Sequence, residues 1–88
     1  MKTIINPNEA RKFGRFLDEQ CRDLAARNAQ VSKKLLELHV SWQDRKYDAF
    51  TKLFDEASVK LSNFLLRAEK FSAYLRAKSA IADKYLGK

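Results

Sequence analysis

The sequence is short of the residues that build turns and disulfides. Its 88 residues include two glycines, one proline and one cysteine, Cys21. With so few turn-forming residues, most of the chain is expected to be regular secondary structure. A single cysteine excludes a disulfide scaffold within the chain. These shortages favour one domain that spans residues 1–88.

Long hydrophobic runs are also missing. No uninterrupted apolar run approaches the roughly 18 residues of a membrane span, and no basic and then apolar segment resembles a signal peptide. Hydrophobic residues still make up 45% of the chain, which is too apolar for a disordered protein. We therefore expect a cytoplasmic protein without a membrane span, with export in the absence of a cleavable signal peptide as the alternative.

The sequence has no recognisable catalytic or metal-binding motif. It contains no glycine-rich phosphate loop and no carboxylate pair on an apolar stripe that could act as acid and base. His39 has no second His, Cys or spaced carboxylate to complete a zinc set. Cys21 has no nearby His to activate it. We predict that the protein is not an enzyme and that it uses no cofactor, metal or small-molecule substrate.

Acidic residues are outnumbered by basic ones. Lys and Arg number 18 against 11 Asp and Glu, a net charge of +7, and residues 57–88 hold seven basic and two acidic residues. Such an excess attracts phosphates or acidic partners over about 10 Å. The alternative function is therefore a nucleic-acid-associated basic helical protein. Against it, Phe64, Phe71 and Tyr74 are expected on or beside a buried seam, where they cannot stack on bases.

The sequence contains a clear start for a long helix. Asn6 is a good N-cap, Pro7 suits the first helical position, and Glu9 completes a capping box. Apolar residues then follow at spacings of three and four, as on one helix face. The first predicted helix covers about residues 7–39. The large apolar members of its seam are Phe13, Leu17, Leu24, Val31, Leu35 and Leu38.

A second apolar seam occupies the rest of the chain. Its spacings of three and four continue for more than five heptads, which predicts a long helix over about residues 42–86. Ser41 with Asp44 three positions later is typical of a helix N-terminus, so the turn is placed at about residues 40–41. The large members of the second seam are Phe50, Phe54, Leu61, Phe64, Phe71, Leu75 and Tyr85.

Two unequal helices and a tight turn predict an all-α antiparallel hairpin. Pro7 is expected near residues 74–76, with an apolar stub at Thr3, Ile4 and Ile5 beside the overhang of helix 2. Because each helix of a hairpin has one neighbour, half of each apolar face remains exposed to water. We therefore expect a homodimeric four-helix bundle of two antiparallel hairpins, with a hetero-hairpin partner as the alternative.

The turn and the aromatic residues behind it resemble a known family, the Trp-x-Gly helical-hairpin or early-secreted-antigen-like proteins of type VII secretion. The residues that carry the resemblance are Ser41, Trp42, Gln43, Asp44, Phe50 and Phe54. The resemblance implies a non-catalytic four-helix-bundle dimer that binds protein partners as a secreted effector or adaptor. Asp44 replaces the motif's glycine, and no Tyr-x-x-x-Asp/Glu export signal follows Leu86. This variant also resembles Gram-negative hairpin proteins that have no assigned role.

Two surfaces are candidates for binding a partner. The first is the turn motif, where Trp42 either plugs the end of the apolar seam or, as the resemblance implies, helps to form a docking cleft. The second is a strip of aliphatic residues that recur every seven positions on the back of helix 2. This strip consists of Val59, Leu66, Ala73 and Ala80.

The remaining polar or reactive residues near the seams have structural interpretations. Cys21 is interpreted as a small buried thiol. Asn28 is expected either to fix the register of the helices or to lie at an exposed seam edge. Lys78 is expected to extend its amine to water, and His39 to contact the carbonyls at the end of helix 1.

Overall fold

The computed structural model describes residues 4–87, so Thr3 of the predicted stub lies outside the described residues. Two α-helices, α1 (Pro7–His39) and α2 (Arg45–Tyr85), contact each other as a hairpin. No strand occurs between residues 4 and 87. The predicted all-helical hairpin is confirmed. Its Cα radius of gyration is 19.4 Å, against about 12 Å for a compact domain of this length.

The start of α1 agrees with the sequence prediction. Asn6 is the N-cap and accepts a hydrogen bond from the Glu9 amide at 3.2 Å. Pro7 is the first helical residue, where its missing N–H costs no hydrogen bond. At the same open end of the hairpin, α2 is followed by Gly87, whose positive φ of 74° is typical of the residue after a helix C-terminus.

The second helix begins at residue 45 rather than residue 42. Its N-cap is Asp44, whose carboxylate accepts a hydrogen bond from the Tyr47 amide at 2.8 Å. Ser41 instead directs its hydroxyl back to the Leu38 carbonyl of α1 at 3.4 Å. The prediction that Ser41 caps helix 2 is therefore wrong. An aspartate is an equally good cap, and the helix dipole favours its charge as well.

The two helices meet along a line of small and hydroxyl-bearing side chains. The hydroxyls of Ser79 and Ser72 donate to the carbonyls of Pro7 and Gly14 at 3.4 and 3.3 Å. Farther along, Ser58 donates to the side-chain oxygen of Asn28 at 3.2 Å. We call this the contact line. Its members are Pro7, Gly14, Cys21, Asn28 and Leu35 on α1 and Thr51, Ser58, Leu65, Ser72 and Ser79 on α2.

The contact line corrects the predicted pairing of the helices. Pro7 lies against Ser79 rather than against residues 74–76. The connection causes this shift, because it occupies residues 40–44 instead of 40–41. The overhang of α2 is correspondingly shorter than predicted. The described part of the stub, Ile4 and Ile5, lines a shallow groove near Leu75.

Candidate functional site

The predicted seam residues other than Leu35 lie to one side of the contact line. The contact-line pairs recur every seven residues, so seven residues make two full turns of each helix. A step of three residues falls about 50° short of one full turn, and therefore moves about 50° around the helix. From Gly14, one such step reaches Leu17; from Ser58, successive steps reach Leu61 and Phe64. Since the helices are antiparallel, these steps turn towards the same side of the hairpin, and both seams open onto one surface.

We call this surface the apolar face. On α1 it consists of Phe13, Leu17, Leu24, Val31 and Leu38, and on α2 of Phe50, Phe54, Leu61, Phe64, Ala68, Phe71 and Leu75. Apart from Leu35, which belongs to the contact line, and Tyr85 at the open end, these are the seam residues predicted from the sequence. Among the described residues, Ala68 is the one buried hydrophobic side chain, with 7% exposure.

The aromatic residues form the centre of the apolar face. Phe13 contacts Phe71 across the helices, edge to face, with ring centroids 6.3 Å apart. Phe64 shares a groove with both of these rings and with Leu17. Phe64 is 51% exposed, and Phe13, Phe50 and Phe71 are similarly exposed. The hairpin therefore presents a continuous aromatic and aliphatic surface to solvent.

The opposite side of the hairpin, here called the polar side, carries the ion pairs between the helices. Arg11 forms an ion pair with Asp83 at 2.7 Å, and Arg76 forms one with Asp18 at 3.2 Å. Both pairs cross between the helices, four residues beyond the contact line on each. These charges are satisfied within one chain. The aliphatic strip of α2 lies on the same side, four residues farther around the helix.

The turn holds Trp42 at the surface. The indole N–H donates to the Asp44 carboxylate at 3.1 Å, and the Gln43 amide donates to the His39 carbonyl at 2.9 Å. Trp42 is 57% exposed in the single hairpin. Both of its predicted roles, the plug at the end of the seam and the docking element, stay predictions.

The assignment of Asp44, and not Ser41, as the N-cap of α2 can be tested by substitution. Asp44→Ala is expected to lower the free energy of unfolding by about 1 kcal/mol, because the first turn of α2 loses its acceptor. Thermal denaturation followed by circular dichroism measures this change. Ser41→Ala is the matched control and should leave stability unchanged; a larger loss in Ser41→Ala would contradict the assignment.

The polar residues singled out from the sequence fall at different places. Asn28 lies on the contact line and accepts the Ser58 hydrogen bond, which agrees with a role in register. Cys21 also lies on this line and is only partly buried. The Lys78 amine lies 6.0 Å from the centre of the Tyr74 ring.

His39 and the aliphatic strip differ in their surroundings. The His39 ring stacks on Tyr47 with centroids 5.0 Å apart, a contact that the sequence analysis missed. The Tyr47 hydroxyl in turn donates to the Leu35 carbonyl at 2.7 Å.

The aliphatic strip is exposed on α2 and lies outside the apolar face. Its residues are Val59, Leu66, Ala73 and Ala80.

Neither a metal cluster nor a membrane span is found in residues 4–87. No three His, Cys, Asp or Glu side chains in this part of the chain lie close enough to hold a metal ion. Neither described helix combines the length and apolarity needed to cross a bilayer.

Comparisons with known proteins give no relative from which to assign a role. No protein-family model matches the chain, and no curated protein or solved structure matches it significantly. The geometry of the hairpin is therefore the basis for a proposed role.

Proposed function

We propose that the protein is a non-catalytic protein–protein interaction module that works as a homodimeric four-helix bundle. The observation that carries the proposal is the apolar face, with its half-exposed phenylalanines such as Phe64 and Phe71. Contiguous apolar surface of this kind is rare on monomers and is typical of interaction sites. Burying it provides the driving force for assembly.

The amount of exposed surface supports the same proposal. The chain exposes 7569 Å², about 2,200 Å² more than a compact monomer of its mass exposes. Obligate homodimers bury about 1,000–2,500 Å² on each chain. A second hairpin on the apolar face therefore accounts for an excess of this size.

The direction of the apolar face also fits a bundle. In a four-helix bundle each helix has two neighbours, roughly at right angles. On α2, the columns that contain Leu61 and Phe64 lie about 50° and 100° from the direction of α1. Their midpoint lies about 75° from the direction of α1, close to the right angle at which a second neighbour is expected. The apolar stripe of α2 is thus centred for a helix that the single chain does not supply.

We further propose that the bundle binds another protein through its turn end, as an effector or adaptor similar to the early-secreted-antigen-like proteins. The exposed Trp42 ring supports this part of the proposal, because amphipathic aromatic residues are enriched at protein interfaces. The hydrogen bonds of Trp42 and Gln43 hold the turn in one conformation, which lowers the entropy cost of binding.

Size-exclusion chromatography with light scattering tests the assembly. At micromolar concentration we expect twice the 10.2 kDa mass of the chain, and dilution should lower the melting temperature, because the folded state is a dimer. A monomer of unchanged stability across a hundredfold dilution would overturn the proposal.

A second candidate function is binding to nucleic acid. It is favoured by the half-exposed Phe64, Phe71 and Tyr74 with Lys60 and Arg67 beside them, since basic grooves with exposed aromatics bind single strands. In this case binding should be steeply salt-dependent and should compete with dimerisation, because both use the same face. Absence of binding to single-stranded DNA or RNA at about 50 mM salt excludes it.

A further inference from the structure

Two identical hairpins can stack their apolar faces with twofold symmetry in two ways. If the axis runs along the helices, both turns lie at the same end and each α1 packs on the partner's α2. If the axis runs across the helices, the turns lie at opposite ends, and each helix packs on its own copy. The two arrangements bury similar apolar surface, so the charged flanks of the apolar face decide between them.

The outer edge of the apolar face carries charge of one sign on each helix. One further step of three residues beyond Phe13 or Phe64 leads to this edge, at Phe16 and Arg67. On α1 the edge, here called the acidic stripe, consists of Glu9, Phe16, Asp23, Gln30 and Glu37. On α2 the edge, here called the basic stripe, consists of Lys46, Leu53, Lys60, Arg67, Tyr74 and Ile81.

The central charges of these stripes are not used within the hairpin. Among residues 4–87, the interhelical ion pairs involve Arg11, Asp83, Arg76 and Asp18, all on the polar side. Asp23, Lys60 and Arg67 take part in none of the ion pairs of the described chain. They are exposed and flank the surface that a second copy covers.

If each helix packs on its own copy, the basic stripe of one α2 lies against the basic stripe of the other. Neither stripe contains an acidic residue, so no shift along the helices would bring opposite charges together. Packing α1 on the partner's α2 places acidic against basic on both sides of the bundle. We propose that the partner on the apolar face is a second copy of this chain, in the arrangement with both turns at the same end. This inference rests on the proposed function and replaces the antiparallel stacking expected from the sequence.

The contact line also sets the register of this arrangement. It places Gly14 level with Ser72 and Asn28 level with Ser58, so Asp23 lies level with residue 63. A twofold axis along the helices preserves that height. Asp23 therefore lies between the partner's Lys60 and the partner's Arg67, about one helical turn from each. The same symmetry places Phe16 between the partner's Arg67 and the partner's Tyr74.

Distance measurements between spin labels distinguish the two arrangements. Cys21→Ala removes the single cysteine, and Val40→Cys or Lys84→Cys then places one label at the turn or at the open end. With both turns at one end, either label pair should lie within about 30 Å, because neighbouring helix axes are about 10 Å apart. With opposite turns, each pair should be separated by about 50 Å or more, on a hairpin of 63 Å.

The labels also separate failure of this inference from failure of the proposed function. Long distances in a dimer of 20 kDa, roughly twice the chain mass, would overturn the arrangement and leave the dimer standing. A monomer in the same light-scattering run would overturn both. Circular dichroism of each labelled variant establishes that the hairpin is still helical.

Charge reversal gives an independent test. Lys60→Glu with Arg67→Glu should weaken the dimer by about tenfold or more, since each stripe then meets its own sign. Adding Asp23→Lys to the same chain should restore it. If each helix packs on its own copy, Asp23 does not face Lys60 or Arg67, and its reversal does not compensate for theirs; a lack of rescue would therefore overturn the arrangement. Lys52→Glu with Lys70→Glu is the control, with the same charge change outside the stripes.

Discussion

Replacing Phe64 with glutamate is expected to convert the dimer into monomers. Phe64 lies at the centre of the apolar face, half exposed in the single hairpin. A second copy covers it in the proposed bundle, where glutamate would bury a charge without a partner. Each dimer carries the change twice. At about 2 kcal/mol or more for each central aromatic, the dimer weakens by about a thousandfold or more.

Leu66→Glu is the matched control for this substitution. Leu66 lies two residues away on the same helix and is 52% exposed, against 51% for Phe64. It belongs to the aliphatic strip, outside the apolar face. Sedimentation velocity over a concentration series should show monomers for Phe64→Glu and dimers for Leu66→Glu. Equal weakening in both variants would mean that the apolar face is not the dimer interface.

Replacing Gly14 with leucine is expected to force the two helices apart. The Ser72 hydroxyl donates to the Gly14 carbonyl at 3.3 Å, and a Cβ added at Gly14 would lie 3.4 Å from that hydroxyl. A methyl group just fits there, but a branched side chain does not. Overpacking of this kind costs about 2–3 kcal/mol, which lowers the melting temperature by about 10–20 °C in a domain of this size.

Gly14→Ala provides the control for that prediction. It adds one atom at ordinary contact distance from Ser72 and removes a glycine from the interior of α1, which favours the helix by about 1 kcal/mol. We therefore expect Gly14→Ala to be at least as stable as the natural chain. The comparison is made at one protein concentration, because a dimer's melting temperature depends on it. A leucine variant as stable as the alanine variant would contradict close contact here.

Local signals in the sequence predicted the helices well. Asn6 and Pro7 start α1 as expected, because a capping side chain and a proline act within a few residues of chain. Asp44 was recognised as an acidic residue near the start of helix 2, but Ser41 was preferred as its cap. Both residues suit that position, and only the path of the turn decides between them.

The contact line could not be predicted from apolar periodicity. Apolar periodicity finds large residues such as Phe64, which were expected to pack between the two helices of the hairpin. In the proposed bundle these residues face the centre, between two neighbouring helices. The two helices of one chain contact each other through Gly14, Ser58 and Ser72 instead. The signal that was present is the serine or threonine at four of five successive heptad positions on α2, interrupted by Leu65, which the sequence analysis passed over.

The hydroxyls at heptad positions of α2 would by themselves allow a second alignment of the hairpin, shifted by seven residues. Such a shift would again place a hydroxyl, that of Ser72, against Pro7. It would also bring Arg11 to Arg76 and Asp18 to Glu69, so that both ion pairs between the helices would become contacts between like charges. The charges of the polar side therefore select the one alignment that the hydroxyls leave open.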